Sequence, residues 1–271
     1  MRPPRPAASS NPKAAMPQTQ QALSDAATIL ATRRKTGVQG ARLPLSLRPP
    51  DATTALAIQA LVSAQIGDAI AAWKCGMPAA GQPVAAPIYG ATVFSGGACT
   101  AWVRDSQVRI EPELAFILGH DLPPRPLPYS EAEVDAAIAR THLALELIDS
   151  RYSTPDDADF LENLADGLLN QGLYLGPQVD AERARNAVEL AIEIDSGNGK
   201  TKQLHGRHPA INPRAPLYWL AEFLRAAGQG LQAGQAIITG SYAGSFGWPA
   251  AQEIAIRYGD LGQLSVRFVP R

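Results

Sequence analysis

The chain has only two cysteines, Cys75 and Cys99, and four histidines in 271 residues. Two cysteines build neither a disulfide framework nor a four-cysteine zinc site, and they suit a reducing, cytosolic compartment. His120, His142, His205 and His208 stand in no H-E-x-x-H arrangement, so they read as surface or capping residues rather than metal ligands. Charge is also scarce. Charged residues make up 18% of the chain, where roughly 25% is usual. With 24 Lys+Arg against 25 Asp+Glu the net charge is −1, which leaves no global basic field for nucleic acid or an anionic membrane. No uninterrupted apolar stretch reaches the roughly 18 residues of a membrane-spanning helix. Residues 1–20 hold five prolines and small polar residues without the apolar run of a secretory signal, and they are expected to form a disordered extension.

What is present is a 46% hydrophobic chain punctuated by 23 glycines and 23 prolines, long enough to bury a sizeable core. Residues 21–82 read as a small helical N-terminal part. There, Leu23, Ala26, Ala27, Leu30 and Ala31 recur at helical spacing within Gln21–Lys35, and a second helix is expected from an Asp51 N-cap to about Ile70. Residues 83–271 read as a mixed, β-rich catalytic body, which makes the whole chain α/β mixed (α+β). Short apolar runs bounded by Gly and Pro predict strands at Ala71–Cys75, Pro83–Phe94, Val108–Leu118, Leu143–Ile148, Leu173–Leu175, Val188–Ile194, Ala236–Thr239, Glu253–Tyr258 and Leu264–Val269. Helices are expected at Ser130–Thr141, opened by a Ser130/Glu133 capping box, and at Pro216–Ala227.

The candidate chemistry lies in the carboxylates. In a strand over Val108–Leu118, Glu111 and Glu113 share one face, and that face continues with Ala115 and Ile117. Two like charges on a largely apolar face are costly unless neutralised or held by a cation. The plainer alternative is a pair of solvated glutamates on an edge strand. A third carboxylate, Glu146, interrupts the apolar run Leu143–Ile148. Three glutamates from two strands make an oxygen-rich cage suited to Mg²⁺ or Mn²⁺. Lys74, in Ala71-Ala-Trp-Lys-Cys-Gly76, either snorkels to water or serves as an acid/base group, its pKa lowered by burial and a nearby cation.

Two other motifs fail. Gly197-Asn-Gly-Lys-Thr201 looks like the end of a phosphate-binding loop, but Ile194 stands where that pattern needs its first glycine. Gly240-Ser-Tyr-Ala-Gly244 is not a G-x-S-x-G nucleophile elbow.

Four segments appear in an order and spacing shared with a known group: Arg109-Ile-Glu-Pro-Glu-Leu-Ala-Phe116, Ala144-Leu-Glu-Leu-Ile-Asp-Ser-Arg-Tyr152, Ile238-Thr-Gly-Ser241 and Gly259-Asp-Leu-Gly-Gln-Leu-Ser-Val-Arg-Phe268. Over most of residues 21–269 the chain resembles the 2-keto-4-pentenoate hydratase and 4-oxalocrotonate decarboxylase branch of the fumarylacetoacetate hydrolase superfamily. The resemblance implies a β-rich mixed-sheet roll with flanking helices, homo-oligomeric assembly, and Mg²⁺ or Mn²⁺ held by Glu111, Glu113 and Glu146. It further implies that Lys74 lies beside the substrate, and that Thr239, Gly240, Ser241 and Tyr89 help to bind it. The implied reaction is hydration of a 2-hydroxy-2,4-dienoate. The alternatives are decarboxylation of 2-oxohex-3-enedioate, or a catalytically silent partner of a related hydratase or decarboxylase. Four stretches depart from the group's pattern. Ile88 stands where hydratases commonly carry an acid, Met77-Pro-Ala-Ala-Gly81 where a Thr-Ser-rich segment normally follows the lysine, Asp166-Gly-Leu-Leu169 where Asp-Asn-Ala-Ser is usual, and Asn212-Pro213 where many members have His-Pro.

Overall fold

A computed structural model describes residues 18–195, 201–250 and 252–271. The extension expected over residues 1–20 lies outside the described residues except for its last three, as does most of the loop-like Gly197–Thr201 stretch. In chain order the elements are α1 (Gln20–Thr36), α2 (Ala52–Ile66), β1 (Ile70–Ala79), β2 (Gln82–Tyr89), β3 (Val93–Ser95), β4 (Ala98–Ala101), β5 (Gln107–Leu118), α3 (Glu131–Ala137) and β6 (Ile138–Ile148). They continue with α4 (Phe160–Asp166), β7 (Asn170–Val179), α5 (Ala181–Arg185), β8 (Glu189–Asp195), β9 (Thr201–Arg207), α6 (Ala215–Ala226), β10 (Ala236–Ile238), β11 (Phe246–Pro249), β12 (Glu253–Tyr258) and β13 (Gly262–Pro270).

The fold is mixed α/β and strand-rich. An eight-stranded sheet runs β2-β1-β10-β5-β6-β7-β3, with β11 also pairing β5, and a five-stranded sheet runs β4-β13-β12-β8-β9. The central strand β5 is a twelve-residue strand paired antiparallel to β10 on one side and β6 on the other. Alternation along it settles where each layer goes. Ile110 and Leu114, with Leu143, Leu145 and Leu147 of β6, face the five-stranded sheet, where Ile192, Ile256, Tyr258, Leu264 and Phe268 complete the core. Phe116 and Leu118, with Trp73 and Ile237, meet Leu217, Leu220 and Leu224 of α6. Each such side chain taken out of water stabilises the fold by roughly 1.5–3 kcal/mol. The opposite face carries Ala115 and Ile117, packed with Ala72, Ile88, Ala144 and Ile238. Helices α1, α2 and α4 form a separate layer around Leu30, Ile58, Tyr152 and Leu164.

Several boundaries differ from the sequence reading. The second helix stops at Ile66, because Gly67 takes a left-handed conformation (φ 72°) and returns its N–H to Ser63 O. The helix expected over Ser130–Thr141 keeps its capping box but ends at Ala137. From Ile138 the chain is strand, since Ile138, Arg140 and Thr141 pair with Leu118, Ile117 and Phe116. The long strand expected over Pro83–Phe94 is broken by a turn at Gly90–Thr92, where Asp68 accepts the Ala91 N–H at 2.7 Å.

Candidate functional site

The two-residue period of the strands brings the expected residues to one end of one sheet face. Glu111 and Glu113 continue the Ala115–Ile117 face of β5, Glu146 stands directly opposite Glu111 on β6, and Lys74 continues the Ala72 face of β1. All four therefore sit at the polar end of a face whose other end is the apolar cluster around Ala115 and Ile238. Carboxylate oxygens of Glu111, Glu113 and Glu146 lie within 4.8 Å of one another. Glu113 is 2% exposed and Glu146 1%, which excludes two solvated glutamates on an edge strand. Lys74 does not snorkel: its side chain is 15% exposed, and Nζ lies 2.8 Å from Glu146 Oε1 and donates to Leu168 O at 3.0 Å. With Pro209, Ala210, Thr239, Gly240 and Val84, these side chains line a cavity of about 330 Å³.

Electrostatics explains how the cluster is held. Burial, then Glu146 and Glu111, pushes the Glu113 carboxyl well above the ordinary carboxylate range, against the Gly240 N–H that favours its charged form. Burial and Glu146 raise Glu111 as well. Among the protein's own groups, burial pulls the Lys74 ammonium down, but Glu146, Glu111 and Glu113 together outweigh burial, so the pKa sits above the ordinary lysine value; a bound cation, on which the expected lowering depends, would offset those carboxylates. Three closely set carboxylates against one ammonium leave an excess of negative charge in a largely dry place. An all-oxygen donor set of this kind fits a hard divalent cation.

The other expected residues divide. Thr239 and Gly240 line the cavity, but the Gly240 N–H donates to Glu113 Oε2 at 2.7 Å, and Thr239 Oγ1 lies 3.3 Å from His208 Nε2. Ser241 turns away, its hydroxyl donating to Pro112 O and Gly244 O. Tyr89 is not at the cleft: its hydroxyl meets Ser63 Oγ at 2.9 Å, and it lines a different cavity. Ile88 is fully buried among Ala72, Ala115 and Leu173.

Three participants escaped the sequence reading. Asn170 Nδ2 donates to Glu146 Oε1 at 2.8 Å, fixing that carboxylate from β7. The Leu168 carbonyl holds Lys74. His208, read as a surface or capping residue, is only 3% exposed, lies edge-on to Tyr242, and burial lowers its pKa, which favours the neutral ring. Pro209 lines the cleft with His208 behind it against Thr239, whereas Asn212 is not among the lining residues and its Oδ1 accepts the Arg214 N–H. Signals existed for two of these: His208-Pro209 is itself a His-Pro dipeptide, and Asn170 directly follows the Asp166–Leu169 stretch that departs from the group's pattern.

Known proteins resemble the chain in sequence and in fold. The 2-keto-4-pentenoate hydratase 1 of Dechloromonas aromatica (strain RCB) is 25% identical over 187 residues, 69% of this chain and 70% of that protein. The 2-keto-4-pentenoate hydratase of Burkholderia vietnamiensis (strain G4 / LMG 22486) is 24% identical over a stretch of the same length. Among solved structures, 4-oxalocrotonate decarboxylase from Pseudomonas putida G7, complexed with magnesium and adipate, superposes with a TM-score of 0.74 at 21% identity, covering 93% of this chain and 98% of that one. Its complex with calcium and acetate gives 0.75 at 19%. These likenesses share the fold. The model of the fumarylacetoacetate (FAA) hydrolase C-terminal family matches residues 70–269, a span that starts at the strand of Lys74 and takes in every glutamate of the cluster, and on that match the chain belongs to the fumarylacetoacetate hydrolase family.

Proposed function

We propose that the protein is a divalent-metal-dependent lyase of aromatic meta-cleavage catabolism that hydrates a 2-hydroxy-2,4-dienoate, of the 2-keto-4-pentenoate class, to a 4-hydroxy-2-oxo acid. The observation that carries this reading is the meeting of Glu111, Glu113 and Glu146 around one point, with the Lys74 ammonium alongside at 2.8 Å from Glu146. The names of the curated relatives support the substrate class. Glu111, Glu113 and Glu146 would hold Mg²⁺ or Mn²⁺, which when bound supplies a Lewis acid toward the ketone and carboxylate oxygens of a 2-oxo acid.

The chain's own residues do the rest. Hydration requires a proton at C5 as the enol proton leaves, then water oxygen at C4 and a proton at C3. Lys74 Nζ is the acid/base group placed to hold and move such a proton, oriented by Glu146 and by Leu168 O. Thr239 and Gly240 shape the wall that receives the substrate. Asn170 keeps Glu146 turned inward.

Decarboxylation of 2-oxohex-3-enedioate is the second reading, favoured by buried, apolar Ile88, which places no negative charge against a second carboxylate. In that reaction the distal carboxylate leaves as CO₂ and its electron pair passes through the conjugated system to the ketone oxygen. The test incubates purified protein and Mg²⁺ with 2-hydroxypenta-2,4-dienoate and, separately, 2-oxohex-3-enedioate. Loss of the dienol absorbance without CO₂ is the expected result. CO₂ release from the second substrate alone selects the decarboxylase. Mg²⁺ binding without turnover of either favours a silent partner, and failure to bind Mg²⁺ overturns the metal site.

A further inference from the structure

A second cavity, of about 220 Å³, shares no lining residue with the glutamate cleft and lies between α1, the end of α2 and the turn after β2. Its chemistry is the reverse of the cleft's. Arg34, Lys35, Arg151 and Arg271 line it, the last with its guanidinium 5.5 Å from the centre of the Trp102 ring, and the one acidic side chain among them, Asp68, is already engaged: its two oxygens accept the Ala69 and Ala91 N–H groups at 2.8 and 2.7 Å. Arg151 is 2% exposed. Its Nε donates to Asp166 Oδ2 at 2.6 Å and its Nη2 is ion-paired with the same oxygen at 2.5 Å, whereas its Nη1 has no hydrogen-bond partner among the described residues. Arg34 leans on the same Asp166, through the main-chain oxygen at 3.1 Å and the carboxylate at 3.6 Å. One carboxylate thus serves two buried guanidiniums, leaving positive charge and a donor uncompensated in a place where both are costly. The remaining walls combine Tyr89, Trp102 and Ile66 with polar Thr92 and Gln171. The Arg34 guanidinium lies 5.8 Å from the centre of the Tyr89 ring, and Trp102 forms a second flat wall.

A forked cation with an unused N–H calls for a carboxylate. Flat aromatic walls call for an apolar body behind it. A volume below the roughly 300–1,000 Å³ of drug-sized pockets calls for a small one. We propose that this cavity is a binding site for a small organic carboxylate, with its oxygens on Arg34 and Arg151 and its apolar body against Tyr89 and Trp102. The site is separate from the glutamate cleft, so the proposal does not rest on the function assigned to that cleft.

The test titrates benzoate into the full chain by calorimetry, with and without saturating Mg²⁺. Saturable 1:1 binding is expected in both conditions. Arg34→Gln should weaken it at least about tenfold, since a charge-assisted hydrogen bond is lost. Because Arg34 also braces Asp166, Lys35→Glu provides a variant on the exposed face of α1, where charge reversal should weaken binding several-fold with the circular dichroism spectrum unchanged. Glu113→Gln should leave the benzoate affinity unaltered, which assigns the heat to this cavity and not to the glutamates. No saturable binding up to millimolar benzoate, the same affinity in both arginine and lysine variants, or loss of binding in Glu113→Gln would each overturn the proposal. Inorganic phosphate competing more tightly than benzoate would overturn the carboxylate as its ligand.

Discussion

Lys74 shows how much one buried charge depends on its neighbours. Among the described residues it is the ammonium set beside the three carboxylates, and Glu146, Glu111 and Glu113 raise its pKa while it works against the raised pKa of Glu111 and Glu113. Removing one partner of a buried ion pair typically costs about 3–5 kcal/mol, because the other charge is left without compensation. Lys74→Met is therefore expected to destabilise the metal-free protein by about 3 kcal/mol at pH 8, and by less at pH 5, where Glu111 and Glu113, both raised, more readily take up protons. Mg²⁺ should recover most of the loss without restoring turnover. Urea unfolding of the variant with and without Mg²⁺ checks this, and an unchanged midpoint in the metal-free protein would show that the pair carries no net stabilisation. Glu113, Glu146 and Lys74 were legible because charges inside apolar strand runs are conspicuous. Asn170 and His208 were harder to assign, since their local signals name no partner and those partners are 24 and 31 positions away.

At the scale of elements, two-residue alternation was the reliable signal, and long-range pairing was what overrode local preference. The end of α3 and the start of β6 illustrate this. Residues 138–141 suit a helix locally, but the ladder with β5 claims them. Strand β9 gave little signal because most of its side chains are exposed on an edge and only Gly206 is buried, against Ile192. Helix α4 was missed although Asp159 caps it by accepting the Glu162 N–H. The turn at the C-terminal end of α4 matters more than the helix itself, because Gly167, Leu168 and Leu169 all take positive φ, of 96°, 53° and 65°. That run lets the chain bend sharply enough for the Leu168 carbonyl to meet Lys74. A Cβ at position 167 would meet Arg34 Nη2 at 2.6 Å, in a backbone region that side chains disfavour by about 1–2 kcal/mol. Gly167→Ala is expected to lower stability by at least about 2 kcal/mol. Chemical denaturation measures it, and a loss below about 0.5 kcal/mol would mean that the turn yields easily.

Across the whole molecule, a nearly neutral chain separates its charges into two opposed interior sites, one of carboxylates and one of arginines. The carboxylate site sets a pH dependence whose sign follows from Glu111 and Glu113. Both are raised above the ordinary value of 4.5, first by burial and then by neighbouring glutamates. The folded protein therefore holds their protons more tightly than the unfolded chain does, and metal-free stability falls as pH rises from the unfolded carboxyl pKa toward the folded ones. A divalent cation acts against that trend by replacing the protons, so its stabilising effect must grow over the same range. At a hundredfold excess over Kd, binding to the folded state alone stabilises by about 2.7 kcal/mol. At roughly 2–4 °C per kcal/mol for a chain of this size, that corresponds to a rise in Tm of about 5–10 °C. Thermal melts with Mg²⁺ and with EDTA are expected to differ by about this amount at pH 8 and by much less at pH 5, with Glu113→Ala abolishing the difference. An equal shift at both pH values, or one that survives Glu113→Ala, would place the cation elsewhere on the protein.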